Sequence, residues 1–216
     1  MPAITDLRID IVSDVVCPWC IVGYLRLQQA LAKLDSKLNV QLHWQPFELN
    51  PHLPAEGQNL REHIQQKYGS SVEQSETARQ QLKQIGSDLG FDFNFNSDSR
   101  IYNTFEAHQL LHWAATYQKQ TELKLALFEA YFSQQLAPSD RENLLAVVAK
   151  VGLDSSLAEQ VLNEKLYAEE VREKEYSWQN QGIKAVPAFI FNQRFLLSGA
   201  QNSDTLIQVI EQSLQD

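Results

Sequence analysis

A chain of 216 residues, 44% hydrophobic and 21% charged, has the apolar content for one large domain or one domain carrying an insert, and excludes an unfolded chain. Its 18 basic and 27 acidic residues leave a net charge of -9 with no basic stripe to follow a phosphate backbone, so no nucleic-acid partner is expected. No apolar run reaches the roughly 18 residues of a membrane span, and MPAITDLRIDIVSD at the start has neither a basic leader nor a long apolar core, so a cytoplasmic protein without membrane attachment is expected.

The first element, LRIDIVSD (7–14), is rich in Ile and Val and closes on Ser-Asp, which predicts a strand. After VVCPWC, the run CIVGYLRLQQALAKL places apolar side chains at 20, 21, 24, 25, 27, 31 and 34, a helical spacing. Pro18 suits the first turn of that helix, where its missing N–H costs nothing. VQLHWQPFEL (40–49) predicts a second strand, with Val40, Leu42 and Trp44 on one face and Pro46 at its end or on an edge. Strand, helix and strand open an α/β unit whose right-handed crossover makes the strands parallel.

From about residue 57 to 180 the strand signal fades. NLREHIQQKYG predicts a short helix stopped at Gly69, and SETARQQLKQIGSDLG another stopped at Gly90. FDFNFN alternates Phe91, Phe93 and Phe95 with polar residues, a pattern open to a short strand or to an extended loop along a cleft. NTFEAHQLLHWAATYQKQ, with Ala107, Leu110, Leu111 and Ala114 on one face, and TELKLALFEAYFSQQL predict an antiparallel helix pair. Ser139 or Asp140 caps the next helix, and DSSLAEQVLNEKLYAEEVREKEYSWQNQ supplies one or two more. Strand signal returns in AVPAFIFN (185–192) and FLLSG (195–199), joined by a hairpin turn at Asn192-Gln193. NSDTLIQVIEQSLQ closes as a helix capped by Ser203 or Asp204, burying Leu206, Val209, Ile210 and Leu214. One sheet interrupted by a large all-helical insertion accounts for this order, with residues 1–55 and 181–216 forming the sheet unit and 56–180 the insertion.

Cys17 and Cys20 are the two cysteines of the chain, and they fall at the strand-to-helix junction. A thiolate at a helix start accepts orphan N–H groups and feels the positive end of the dipole, which predicts a lowered Cys17 pKa. Cys20, one turn on and more enclosed, can close on Cys17 intramolecularly. This makes Cys17 the attacking sulfur of a thiol–disulfide exchange and Cys20 the resolving one. The other readings are weaker. Zinc would need two more ligands from His43, His52, His63, His108 or His112, and no metal is expected. Haem attachment would need a histidine where Ile21 stands, and an inert buried pair would leave the spacing unexplained. Pro18 and Trp19, between the cysteines, carry no charge. Trp19 offers an apolar cover, and the thiolate is expected in the upper half of the range of about 3.5 to about 7 found for such motifs, making a weak oxidant.

Pro187 begins the returning strand. It is either a rigid strand entry or a cis proline that turns the Val186 backbone outward for an extended peptide to pair with.

With SDVVCPWC behind the first strand and VPAFIFN followed by SGAQ near the end, the chain resembles the thioredoxin superfamily over essentially its whole length. The helical block resembles the DsbA branch, and SDVVCPWCIVG, NTFEAHQL and VPAFIFNQRFLLSGAQ resemble the FrnE-type DsbA-like oxidoreductases. The resemblance implies a thioredoxin-like sheet with a helical insertion and thiol–disulfide exchange, with Cys17 as nucleophile, Cys20 as resolving cysteine and Pro187 as cis proline. Val186, Pro187, Asn103 and His108 are the residues it offers for substrate binding. Asn103 also suits a helix start near Phe105, and His108 shares a face with His112. Relatives commonly have arginine where this chain has Gln109. Members also keep a carboxylate beneath the cysteine pair, for which Asp10 and Asp14 are the candidates. No bound cofactor is expected; glutathione or another thiol is the expected redox co-substrate, and protein or small-molecule disulfides are the partners. Two other functions fit the same fold: a glutathione-dependent transferase or isomerase, against which Cys20 argues, and a non-enzymatic peptide-binding or chaperone module. The aromatic-rich helices leave room for a homodimer.

Overall fold

A computed structural model describes residues 5–34 and 38–215; residues 1–4, 35–37 and 216, which the predicted sheet unit includes, lie outside the described residues. The chain begins β1 (Thr5–Ser13), α1 (Pro18–Lys33), β2 (Leu38–Pro46). The insertion follows with β3 (Gln58–Asn59), α2 (Leu60–Tyr68), α3 (Val72–Asp88), β4 (Arg100–Ile101), α4 (Phe105–Ala115) and α5 (Gln120–Phe128). A π-helical turn at Glu129–Ser133 extends α5, and α6 (Arg141–Lys150), α7 (Ser155–Asn163) and α8 (Ala168–Asn180) come next. The chain then returns through β5 (Ala188–Phe191) and β6 (Phe195–Ser198) to α9 (Ser203–Gln215).

The main sheet runs β2-β1-β5-β6. β1 is parallel to β2 along its whole length, from Thr5 opposite Leu38 to Ser13 opposite Pro46, and antiparallel to β5. The β5–β6 hairpin turns at Asn192 and Gln193, both with left-handed φ (47° and 59°), as primed turns require. Strand period two assigns the faces. Leu7, Ile9 and Ile11 are buried with Phe189 and Phe191 in the core that also takes Ile21 and Leu27 of α1 and Leu206 and Ile210 of α9. Val12 points the other way, into a smaller cluster with Phe47, Ile183 and Ala188 that Trp178 of α8 flanks. α1 sits close to β5 because Gly23 has no side chain: a Cβ there would lie 3.0 Å from the Phe189 ring and 3.2 Å from Pro187.

Four of the insertion helices start where side chains satisfy their first N–H groups. Asn59 caps α2, Ser71 forms a capping box with Gln74 on α3, Asp140 caps α6 and Asp154 caps α7. Gly69 closes α2 and Gly90 follows α3, each with left-handed φ. Two expectations change. The cap of α9 is Asn202, whose Oδ1 accepts the Thr205 N–H at 2.9 Å, so Ser203 and Asp204 fall inside the first turn. The insertion also holds one short antiparallel ladder, β3 with β4. FDFNFN is the extended-loop alternative: the Asn94 N–H donates to the Phe132 carbonyl (2.8 Å), and the Phe93 ring is buried against Phe95 and Phe132.

Candidate active site

β1 ends at Ser13, and a single turn carries the chain to Cys17, the N-cap of α1, with Pro18 at the first helical position. The Cys17 N–H donates to the Asp14 carbonyl (3.3 Å) and the Cys20 N–H to the Cys17 carbonyl (3.0 Å), which sets the two thiols on one side of the first turn. Both are free thiols. Cys17 is 4% exposed and Cys20 0%, whereas Trp19 between them is 42% exposed. The Cys17 Sγ lies 3.5 Å from the Val186 carbonyl, and the Val186–Pro187 peptide is cis. Residues 169 positions apart therefore meet at the sulfur.

Cys17 opens on a groove of about 400 Å³ between the first turn of α1 and helices α2 and α3; Val16, Trp19, Leu60, Ile64, Leu82 and Val186 are among its lining residues.

Beneath the pair lies a set of buried polar groups. The Asp14 carboxylate accepts the Leu49 N–H at 2.7 Å and stands 3.5 Å from the Nε2 of His108, itself buried. Burial pushes Asp14 up, but His108, the Leu49 N–H and the charge of Lys124 outweigh it and hold the carboxyl below its usual range. Lys124 is fully enclosed, its Nζ 3.4 Å from the Ser13 carbonyl and over the rings of Trp44 and Phe128 (5.4 and 5.0 Å). Burial lowers its pKa to about 8 against the opposing pull of Cys20, Asp14 and Cys17.

The ionisation of the pair differs from the helix-start expectation. The Cys17 thiol is pushed well above its usual range by its hydrogen bond with Cys20, by burial and by the charges of Cys20 and Asp14. Cys20 is raised by burial but lowered by more through the neighbouring Cys17 and the charge of Lys124. The two sulfurs therefore titrate as one unit, charge on either raising the other. At Cys17 burial and the neighbouring sulfur oppose the helix-start effect, to which the Cys20 N–H still contributes by favouring the anion.

The other predicted residues are placed as follows. Asp14, not Asp10, is the carboxylate beneath the pair, because Asp10 sits on the opposite sheet face, bound to Arg8 (2.8 Å) and Gln45 (2.7 Å). Asn103 stands away from the groove lining: its Oδ1 accepts the Phe105 N–H at the start of α4, and its Nδ2 donates to the Pro51 carbonyl. His108 faces Asp14 from the sheet side rather than the groove, and Gln109 is buried. His112 packs on Tyr167 (4.9 Å), and among the described residues no group of three His, Cys, Asp or Glu is arranged to hold a metal ion. The sequence reading missed Lys124 and Arg79. A single lysine inside the apolar run LKLALF was the available sign for Lys124. For Arg79 the sign was its place on the inward face of α3 with Ser75 and Leu82.

Residues 8–211 match the model of the DSBA-like thioredoxin domain. The uncharacterised protein YwbO of Bacillus subtilis is 26% identical over 211 residues, covering 97% of this chain and 96% of its own. The crystal structure of a probable DsbA oxidoreductase from Streptomyces coelicolor superposes with a TM-score of 0.92 at 30% identity, over 97% of this chain and 91% of that one. The cytosolic disulfide reductase DsbM from Pseudomonas aeruginosa, solved with glutathione, shares the fold at 16% identity (TM-score 0.62, 97% of this chain and 100% of that one). The chain belongs to the DSBA-like thioredoxin family and is a thiol–disulfide oxidoreductase with Cys17 and Cys20 as its active-site pair.

Proposed function

We propose that Cys17 attacks and Cys20 resolves, in a FrnE-type branch of the family that works in the reducing cytoplasm with glutathione or a similar thiol as electron donor. The observation that carries this reading is the unequal placement of the sulfurs: Cys17 lines the groove, and Cys20 is buried one turn behind it. Cys17 gives up its proton and attacks the substrate disulfide as the thiolate, forming a mixed disulfide and releasing one substrate thiolate. Cys20, its anion favoured by the charge of Lys124, then attacks the Cys17 sulfur of the mixed disulfide and releases the second. The raised Cys17 thiol supports work in the reducing direction, since a poorly stabilised thiolate makes a weak oxidant. The glutathione-bound DsbM neighbour supports the choice of donor.

Val186 and Pro187, at the lip beside Cys17, offer backbone to an extended substrate. Asn103 and His108 act as positioning residues, the first fixing the start of α4 and the second holding Asp14. In this reading residues 1–55 and 181–216 form the thioredoxin-like unit, and 56–180 supply the far wall of the groove.

The test is equilibration against glutathione redox buffers with Cys17→Ser and Cys20→Ser beside the wild type. A mixed disulfide should be trapped in Cys20→Ser and not in Cys17→Ser. Trapping in the reverse variant would exchange the two roles, and turnover surviving Cys17→Ser would end the mechanism.

A further inference from the structure

The groove at Cys17 carries a charge pattern that disulfide exchange by itself does not need. Most of its wall is apolar, and among its lining residues the charged side chains are Lys67 and Arg79. None is acidic, in a chain with 27 acidic and 18 basic residues. Lys67 is tied at the rim to Asn50 Oδ1 (2.8 Å) and the Leu49 carbonyl (3.1 Å). Arg79 is only 6% exposed and stands on the inward face of α3 between Ser75 and Leu82, both of which also line the groove. Its Nη2 donates to Glu76 Oε2 at 2.7 Å, but its Nη1 is buried with no hydrogen-bond partner. Glu76 is half-exposed and shared with Arg61 (3.3 Å), so the two guanidinium groups outnumber the one carboxylate. A buried N–H without an acceptor is unfavourable, and a guanidinium holds a carboxylate through charge-assisted hydrogen bonds that strengthen away from water.

With Cys17 as the attacking sulfur, we infer that the groove takes a small disulfide that has an apolar body and carries a carboxylate, the carboxylate meeting Arg79 Nη1 while one sulfur lies at Cys17. A cavity of about 400 Å³ with an apolar wall and one placed cation is the form of a small-molecule site. The reaction balances without another reactant. Cys17 attacks one substrate sulfur and the S–S bond breaks. Cys20 then attacks Cys17, and the two thiol protons leave with two product thiols, so the dithiol is oxidised by two electrons and the disulfide reduced by two.

The test uses the pre-reduced full chain with two aromatic disulfides of the same shape, dithiobis(nitrobenzoate) and its carboxamide counterpart dithiobis(nitrobenzamide). Each rate constant is divided by that of the same disulfide with free mercaptoethanol. The wild type should favour the carboxylate by about tenfold or more, against the net negative charge of the protein. Arg79→Gln should bring the ratio close to one, and Arg79→Lys should retain part of it. Equal normalised rates in the wild type would overturn the inference while leaving exchange at Cys17 intact, and so would a preference that survives in Arg79→Gln. Failure of both disulfides to react with the wild type would instead remove the exchange reading, and this inference with it. The wild-type comparison decides the matter even where Arg79→Gln does not fold.

Discussion

The active-site pair separates two unlike environments. On the groove side the walls are apolar, and the charges among them are cations without an acidic partner in the lining. On the sheet side Ser13, Asp14, His108 and Lys124 are packed out of solvent, with Asp14 and Lys124 answering each other and the sulfurs. The contrast teaches a division of labour: the sheet side sets where the negative charge of the dithiol sits, and the groove side sets what can approach Cys17. Substitutions on the two sides should therefore register in different measurements, thiol titration for one and kcat/KM for the other.

The largest effect should come from breaking the sheet side. Asp14→Leu leaves the enclosed Lys124 ammonium without the opposing charge of Asp14 and the Leu49 N–H without its acceptor. Chemical denaturation should show a loss of about 3–5 kcal/mol, the usual cost of leaving a buried charge uncompensated. The second effect is a pH dependence. Lys124 gives up its proton at about 8 in the folded chain, against 10.5 for a free lysine. Between those values the unfolded chain binds more protons, so stability climbs with rising pH by about 3 kcal/mol and is lost again as pH falls through 8. Subtracting the stability–pH curve of Lys124→Met from that of the wild type should isolate this rise, and a flat difference would show that Lys124 does not titrate there.

Breaking the groove side should cost less and leave titration alone. Ile64→Ser removes apolar wall from a half-buried position. It should lower kcat/KM for an apolar disulfide by about tenfold, with the thiolate absorbance curve unmoved. A shift of that curve would mean that the two sides are not independent. The smallest effect is expected far from both. Arg141 binds Glu106 with Nε and Nη2 between α6 and α4, at a largely solvated position. Arg141→Ala should cost no more than about 1 kcal/mol and change neither titration nor kcat/KM.

Much of the fold was legible because it rests on local signals. The strand LRIDIVSD, the helix after Cys20, the caps at Asp140 and Gly69 and the turn at Asn192 are each specified by residues within a few positions of one another. The ionisation of the cysteines was not legible in this way. It depends on burial, on the two sulfurs acting on each other, and on the charges of nearby Asp14 and of Lys124 from distant α5, which meet only in the packed molecule. The choice between Asp10 and Asp14 needed the end of β1: strand period puts both on one face, and only the turn after Ser13 brings Asp14 under the pair. Asn202 was overlooked because Ser203 and Asp204, beside it, are equally good cap formers by residue type. The side of His108 was hidden for a similar reason: a helical position tells which neighbours share a face, not which other element covers it.

The order in which strands join β1 has a consequence for biosynthesis. β1 lies between β2, which follows it closely in the chain, and β5, whose Phe191 pairs with Ile9. A ribosome delivers Cys17 and Cys20 early but supplies Val186 and β5 only after the whole insertion has emerged. During that interval the nascent chain carries its two thiols beside half a sheet, without the carbonyl that will cover the first of them. Newly made polypeptide is thus the form most open to adventitious oxidants, and completion of translation brings its own protection.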